Sequence, residues 1–500
     1  MGVASAAQAY IMAVDQSTSG TKALLIDRQG TVLHRKSKPH RQHYPQPGWV
    51  EHDPMEIFHN VCETVEELMR SAGITAEEVA VLAITNQRET AVIWDPETGL
   101  PVHPAIVWQC QRTAEQCAIL KRLGAEPIVM EKTGLLIDPY FSAGKFRWII
   151  DHAGLASGRY MAGTIDSWLI WKLTDGKVHA TDHTNASRTS LYNLHTRNWD
   201  PELLQLFGVE GLMLPEIRSS TDLYGVVGEA GGAARGIPIS GVIGDSQAAL
   251  FGQLCHEPGM VKATYGTGTS VLMNVGPEPI RSGNGLVTAV AWSIDGQMTY
   301  ALEGIIRSSG DTMSWLKDQL ELFDDYGAAE ELAASLPNNE GVYLVPAFVG
   351  LGIPYWDTEA RAALVGMSRG SGKAHIIRAG LESIAYQVRD TIEYMCAESG
   401  AALKELRADG GAVRNRLLMQ YQADQLQIDV RCVETAELSA MGSAYLGGLA
   451  VGYWSGLDEL SALPRQTSTF RPSMAKDLAD RYYKGWQQAV KRVLTQDAGI

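Results

Sequence analysis

Apolar runs broken by short Gly/Ser/Thr turns set the pattern of this chain. Residues 10–14 are apolar and end on Asp15, and the turn Gln16-Ser17-Thr18-Ser19-Gly20-Thr21-Lys22 follows. Ala23-Leu24-Leu25-Ile26 is apolar again, and Arg28-Gln29-Gly30 turns it into Thr31-Val32-Leu33. The spacing predicts strand–turn–strand–turn–strand, a β-meander. A second hairpin of the same kind lies in the other half of the chain, where Tyr265-Gly266-Thr267-Gly268-Thr269-Ser270 separates two apolar runs. Two such hairpins, one per half, predict two related domains closing on one ligand.

Between them the pattern alternates. Asp53 as N-cap, Pro54 in the first turn and Glu56 closing a capping box predict a helix start, continued by Ile57, Val61, Val65 and Leu68 at helical spacing. Strands are predicted over 79–84, 90–94 and 239–244, the last stopping before a helix headed by Asp245. The polar run 181–189 reads as a loop. In the second half the pattern predicts a helix from Gly310 through Trp315 to Leu322, a strand over 343–348, a long helix over 375–398, and a strand running into Asp409-Gly410-Gly411 before another helix. Residues 442–452 read as a helix of small residues built for close packing. No linker or short repeat interrupts the chain, so the boundary is placed near 255–259, giving domains over 8–254 and 255–495.

Five hundred residues exceed one core and fit two large domains. A net charge of −15 and a pI near 5.3 exclude a nucleic-acid or anionic-membrane partner, which needs a basic face. Any phosphate must therefore be met by local donors and a metal. Six cysteines without a C-x-x-C pair fit free thiols in a reducing compartment. No apolar run reaches the ~18 residues of a membrane span, and residues 1–6 lack a basic signal region, so a soluble cytoplasmic protein is expected.

The chemistry gathers at a few points. The hydroxyls and Lys22 of the first turn suit phosphate oxygens, and Asp15 is placed to hold a hydrated Mg²⁺ against them. Neither a Walker loop nor a strand-borne G-x-G-x-x-G is present. Arg88-Glu89 at a strand end can grip a polyol, donating to one hydroxyl and accepting from the next, or can be a surface ion pair. Trp108 is either core or a flat wall for a ligand, and Tyr140 can donate from a loop. Asp245 is either a helix N-cap or the base that α/β enzymes place at the end of a strand. Gly410-Gly411 either caps a helix or lets a nucleotide approach backbone.

Taken together, these motifs resemble the FGGY carbohydrate kinase family from Tyr10 to about Arg492. The resemblance rests on 48–54, 84–90, 106–110, 137–142, 237–244, 247–253, 265–268, 301–304, 346–348, 350–352 and 409–413. It implies an α/β fold of two actin-like (ribonuclease H-like) domains, each on a mixed five-stranded sheet, around a central ATP and substrate cleft. It also implies phosphorylation of a polyol with ATP and Mg²⁺, glycerol first and a longer polyol or ketose second. A non-catalytic nucleotide-binding sensor is a third reading. By position, Thr18, Ser19, Gly20 and Lys22 contact phosphates; Arg88, Glu89, Trp108, Tyr140, Asp245 and Ser246 hold the substrate, with Asp245 as base; and Thr267, Gly310, Ser314, Gly411 and Asn415 line the nucleotide site. A homodimer or homotetramer is implied as well.

Departures from the family pattern are local. Lys22 stands for Arg, Ser17 for Gly, Ser246 for Gln, Ser270 for Phe and Ser314 for Gln. The changes at 246 and 270 enlarge the substrate pocket and line it with hydroxyls. Residues 228–236 do not keep the pattern for a regulatory sugar bisphosphate.

Overall fold

The computed structural model describes residues 9–282, 285–433 and 437–495; the reading of residues 1–6 lies outside the described residues. The meander forms as expected. Strands β1 (Tyr10–Gln16), β2 (Gly20–Ile26) and β3 (Val32–Pro39) pair antiparallel in succession. Strands β4 (Val79–Asn86) and β5 (Ile239–Gly244) extend the sheet in parallel beyond β1, giving the order β5-β4-β1-β2-β3. β4 is buried at every position, as befits a parallel strand covered on both faces. The segment read as a strand over 90–94 is Val92–Asp95 and belongs to a separate three-stranded sheet.

Helix α1 (Pro54–Ala72) starts as its sequence predicts, with the Asp53 carboxylate accepting from Met55 N at 2.8 Å. The capping box does not form. Glu56 Oε1 instead accepts from Arg41 N at 3.3 Å, because the chain leaving β3 brings a free amide closer than the helix's own cap. The run 181–189, read as a loop, contains the strand Ala180–Asp182 and a one-turn helix His183–Ala186, capped by Asp182 through Thr184 N and Asn185 N. Its polar groups bond to one another and to buried groups elsewhere, Asn185 to Asn86 and Asp182 to Ser220, which composition does not reveal. Helices α2 (Ser142–Ala153) and α3 (Asp245–Gly252) complete the part that carries the site.

The second sheet repeats the plan. Strands β6 (Met260–Tyr265), β7 (Thr269–Gly276), β8 (Val287–Ile294), β9 (Gln297–Ile306), β10 (Glu405–Gly410), β11 (Val430–Val433) and β12 (Thr467–Phe470) lie in the order β8-β9-β7-β6-β10-β11-β12. Its central five, β9-β7-β6-β10-β11, match β3-β2-β1-β4-β5 in order and direction. The sheet has seven strands rather than the expected five, because β8 and β12 add antiparallel at its two edges.

Helices α4 (Gly310–Asp318), α5 (Lys373–Ser399), α6 (Arg416–Leu426), α7 (Leu438–Ala450) and α8 (Lys476–Lys491) follow. The strand expected over 343–348 stops at Val345, and α4 ends at Asp318 rather than Leu322. α7 comes late in the chain yet packs on the first sheet: Ala440, Ala444 and Leu446 share a core with Ile11, Ala13 and Val81. No helix of the described residues is long and apolar enough to cross a membrane.

Candidate active site

The first turn keeps its hydroxyls near the cleft. Asp15 and Lys22 face each other across the β1–β2 pairing, 3.7 Å apart, and Lys22 Nζ also lies 3.2 Å from Glu437. Thr18 is fixed on both sides. Its Oγ1 accepts from Trp108 Nε1 at 2.9 Å, and its carbonyl lies 2.8 Å from His40 Nε2. Trp108 in turn meets Tyr140 edge to face at 5.4 Å, so the phosphate-type turn and the polyol wall form one unit. Ser19 is exposed at the turn, and Gly20 begins β2, where an added Cβ would meet the Lys38 carbonyl at 2.6 Å.

Arg88 and Glu89 are not a surface pair; both are buried. They belong to a four-residue charge cluster. Arg88 Nη2 lies 3.0 Å from Glu303, Arg188 Nη1 lies 2.7 Å from Glu303, and Arg188 Nε lies 2.6 Å from Glu89. Two guanidiniums offset two carboxylates in a region water does not reach. Glu303 has both arginines within hydrogen-bond range, and despite its burial they hold its carboxyl down at about 2. Burial raises Glu89, whose second arginine is 3.9 Å away.

Glu89 also carries φ +61°, a left-handed backbone unusual for a side chain of its size. Ser142 Oγ at 3.1 Å and Lys145 Nζ at 3.2 Å hold its carbonyl in that conformation, and Lys145 also donates to the Tyr140 carbonyl. Burial, seconded by Glu89, pushes Tyr140 well above its usual range, so its hydroxyl stays a donor.

Asp245 stands at the end of β5, at the first position of α3. The N-cap position falls on Gly244, and the Asp245 carboxylate accepts from Ser246 N at 2.6 Å in the first turn of α3. Arg88 Nε lies 3.2 Å from Asp245 Oδ1 and Gln247 Oε1 accepts from Arg88 at 3.1 Å. Gly244 makes this approach possible, since a Cβ there would sit 2.8 Å from Arg88 Cγ. Gly244 N donates to Thr184 Oγ1 at 2.8 Å, so the one-turn helix and the strand end are fixed together. Asp245 and Ser246 open onto a cavity of about 860 Å³ whose opposite wall carries Lys262, Thr264, Ser270, Asp409 and Gly411.

The second turn is tied to α4. Gly310 N donates to the Gly266 carbonyl at 3.0 Å and Asp311 N to the Thr267 carbonyl at 3.1 Å. A Cβ on Gly310 would meet the Gly266 carbonyl at 2.4 Å, so this contact requires glycine. Ser314 lies one turn further, its Oγ 3.3 Å from the Gly310 carbonyl. Gly411 faces open space at the start of a 3₁₀ turn, and Asn415 caps α6 by accepting from Leu418 N at 2.8 Å. The residues expected at the nucleotide therefore fall into two groups, Thr267–Gly310–Ser314 and Gly411–Asn415.

Among the described residues no cluster of three or more metal-ligating side chains exists. A cation here would rest on few protein ligands, as Mg²⁺ does when phosphates complete its shell. The donor chemistry fits. Burial raises the Asp15 carboxyl to about 6; Lys22 pulls it down, and Asp245 and Glu437 add to the rise. A divalent ion beside Asp15 would relieve the same crowding.

Sequence reading missed Arg188, Glu303, Gln247, Lys145 and Lys262. A signal existed for two of them. Glu303 and Lys262 each interrupt an otherwise apolar strand, and a charge in such a strand needs a partner.

Comparison with known proteins follows this geometry. The profile of the FGGY family of carbohydrate kinases, N-terminal domain, matches residues 10–252, and that of its C-terminal domain matches residues 261–451. The chain is 49% identical over 490 residues to the glycerol kinase of Desulfitobacterium hafniense, covering 97% of this chain and 99% of that one. It is 50% identical over 488 residues to the glycerol kinase of Carboxydothermus hydrogenoformans, covering 97% and 98%. The crystal structure of Plasmodium falciparum glycerol kinase with ADP superposes with a TM-score of 0.93 at 35% identity, covering 97% of this chain and 98% of that chain.

Proposed function

This chain belongs to the FGGY family of carbohydrate kinases, and on that premise we propose that it transfers the terminal phosphoryl group of ATP to a primary hydroxyl of glycerol, giving glycerol 3-phosphate and ADP. The observation that carries the assignment of roles is the Asp245 carboxylate. It lines the cavity from a strand end and lies 3.2 Å from the Arg88 guanidinium.

Asp245 takes the proton from the attacking hydroxyl as the new O–P bond forms and the bond to the ADP oxygen breaks. Arg88 and Tyr140 donate to the polyol and Glu89 accepts from it, while the Trp108 ring covers its C–H edge. The cluster with Arg188 and Glu303 keeps Arg88 in one orientation, so little ordering remains to be done when substrate binds. Thr18, Ser19, Gly20 and Lys22 meet the phosphates from one side and Thr267 from the other; Gly310, Ser314, Gly411 and Asn415 line the nucleotide. Asp15 would hold a Mg²⁺, which would supply charge neutralisation to the phosphates. The halves 8–254 and 255–495 act as the two jaws, with α7 crossing back onto the first. The cytoplasm, where ATP and glycerol are both present, is the expected location.

One observation favours a longer polyol as a second reading. Ser270 Oγ is buried beside the cavity and has no hydrogen-bond partner among the described residues. Such a hydroxyl suits an extra substrate hydroxyl or a bridging water. An ATP-dependent assay across three- to six-carbon polyols and ketoses tests both readings. Turnover highest with glycerol supports the first, highest with a four- or five-carbon substrate supports the second, and none with any of them overturns the kinase assignment.

A further inference from the structure

The cavity beside Asp245 is lined by four charged side chains that the mechanism above does not use, Lys262, Asp409, Arg414 and Arg416, and of the three cations among them Lys262 alone is buried. Lys262 leaves β6 on the same face as Thr264 and lines the cavity together with Asp245, Ser270 and Asp409. It is 2% exposed, and among the described residues no carboxylate lies within ion-pair distance of its ammonium and no side-chain hydrogen bond holds it. Burial pushes its pKa down and Arg88 adds to that, while Asp409, Asp245 and Glu303, none within ion-pair distance, pull it up. Of the other cations, Arg88 and Arg188 are engaged by Glu89 and Glu303 and Lys22 by Glu437, while Arg414 and Arg416 at the cavity rim are exposed to solvent.

A buried ammonium without a partner is costly, and an incoming anion offsets that cost. The anion brought into this cleft by the reaction is the phosphoryl group. We propose that Lys262 is a further catalytic residue that receives the transferred phosphoryl group, donating N–H hydrogen bonds to its oxygens in flight and in the phosphate-ester product. It forms and breaks no covalent bond. The proposal rests on the phosphoryl-transfer reading and extends it by one ligand.

The test compares Lys262→Met and Lys262→Arg with wild type by calorimetric titration of glycerol 3-phosphate and of glycerol, by kcat, and by thermal melting. For Lys262→Met, affinity for glycerol 3-phosphate should fall about 10- to 150-fold, the loss of one charged hydrogen bond, while glycerol affinity stays within about twofold. The kcat should fall on the order of 10²–10³-fold, as when one donor to a developing charge is removed. The melting temperature should hold or rise, because an apolar side chain replaces an unpaired buried charge. Lys262→Arg should recover part of the ester affinity. Unchanged ester affinity overturns the proposal, and so does an equal loss of both ligands with a lowered melt, which marks a structural lysine. If Lys262→Met does not fold, Lys262→Gln carries the same comparison. Wild type failing to turn over glycerol and to bind its phosphate ester would instead sink the phosphoryl-transfer reading itself.

Discussion

Arg88 Nη2 lies 3.0 Å from Glu303 Oε1, although the two residues are 215 positions apart, Arg88 just beyond the end of β4 in the first sheet and Glu303 within β9 of the second. The contact joins the strand end that grips substrate to the sheet that bears the second phosphate-type turn.

The Arg88–Glu303 contact makes Glu303 a stability switch at acid pH. Its carboxyl is held at about 2, below the ordinary 4.5. A depressed carboxyl contributes stability that is present above pH 4.5 and lost as pH falls through 2. At neutral pH that contribution is about 3 kcal/mol. Glu303→Gln should therefore unfold at lower urea than wild type at pH 7, with the difference shrinking between pH 4.5 and 2. A difference constant across that range means Glu303 is not the ionised partner of Arg88.

Asp245→Asn keeps the shape of the side chain and removes its basicity. The kcat should fall by ~10²–10⁴, the usual share of a general base, with glycerol and ATP affinities nearly kept. Near-normal kcat in this variant would assign the proton to another group.

Asp15 runs the other way from Glu303. Burial raises its carboxyl from 3.8 to about 6, so the ionised form is less favourable in the folded state than in the unfolded one. Stability is lost as pH rises from about 4 to 6 and stays lost above. Asp15→Asn should thus be more stable than wild type at pH 7, by up to roughly 3 kcal/mol, and equal to it near pH 4. Activity should fall, and the response to added Mg²⁺ should weaken. A less stable variant at pH 7 would show that Asp15 is held mainly by Lys22.

Ser270→Phe fills the cavity wall where Ser270 Oγ has no hydrogen-bond partner among the described residues. It should lower KM for glycerol by up to about tenfold, roughly 1.4 kcal/mol of apolar contact, and exclude four-carbon polyols such as erythritol. If wild type prefers a four- or five-carbon substrate and the variant is inactive, glycerol is not the substrate while the kinase reading survives.

The fold was largely legible because its signals are local. The alternation in 10–33, the Asp53-Pro54 start of α1 and the apolar period of α5 each depend on neighbours within a turn or a strand, and each element formed. The errors fall where a distant group outcompetes a local one. Glu56 leaves the cap for Arg41, the polar run 181–189 is held by distant partners such as Asn86 and Ser220, and the second sheet gains β12 from late in the chain besides β8, which joins as a hairpin with β9.

The site divides the same way. Sequence by itself determined which residue types stand at the two turns, at Arg88-Glu89 and at Asp245, since each motif is contiguous. Only the tertiary structure decided what they are for. It buried Arg88 and Glu89 as half of a charge cluster, set Asp245 against Arg88, and placed Lys262 in the cavity with no ion pair among the described residues. The reason is physical: a charge acquires its role from what surrounds it once water is excluded, and those surroundings come from strands that lie far apart in the chain.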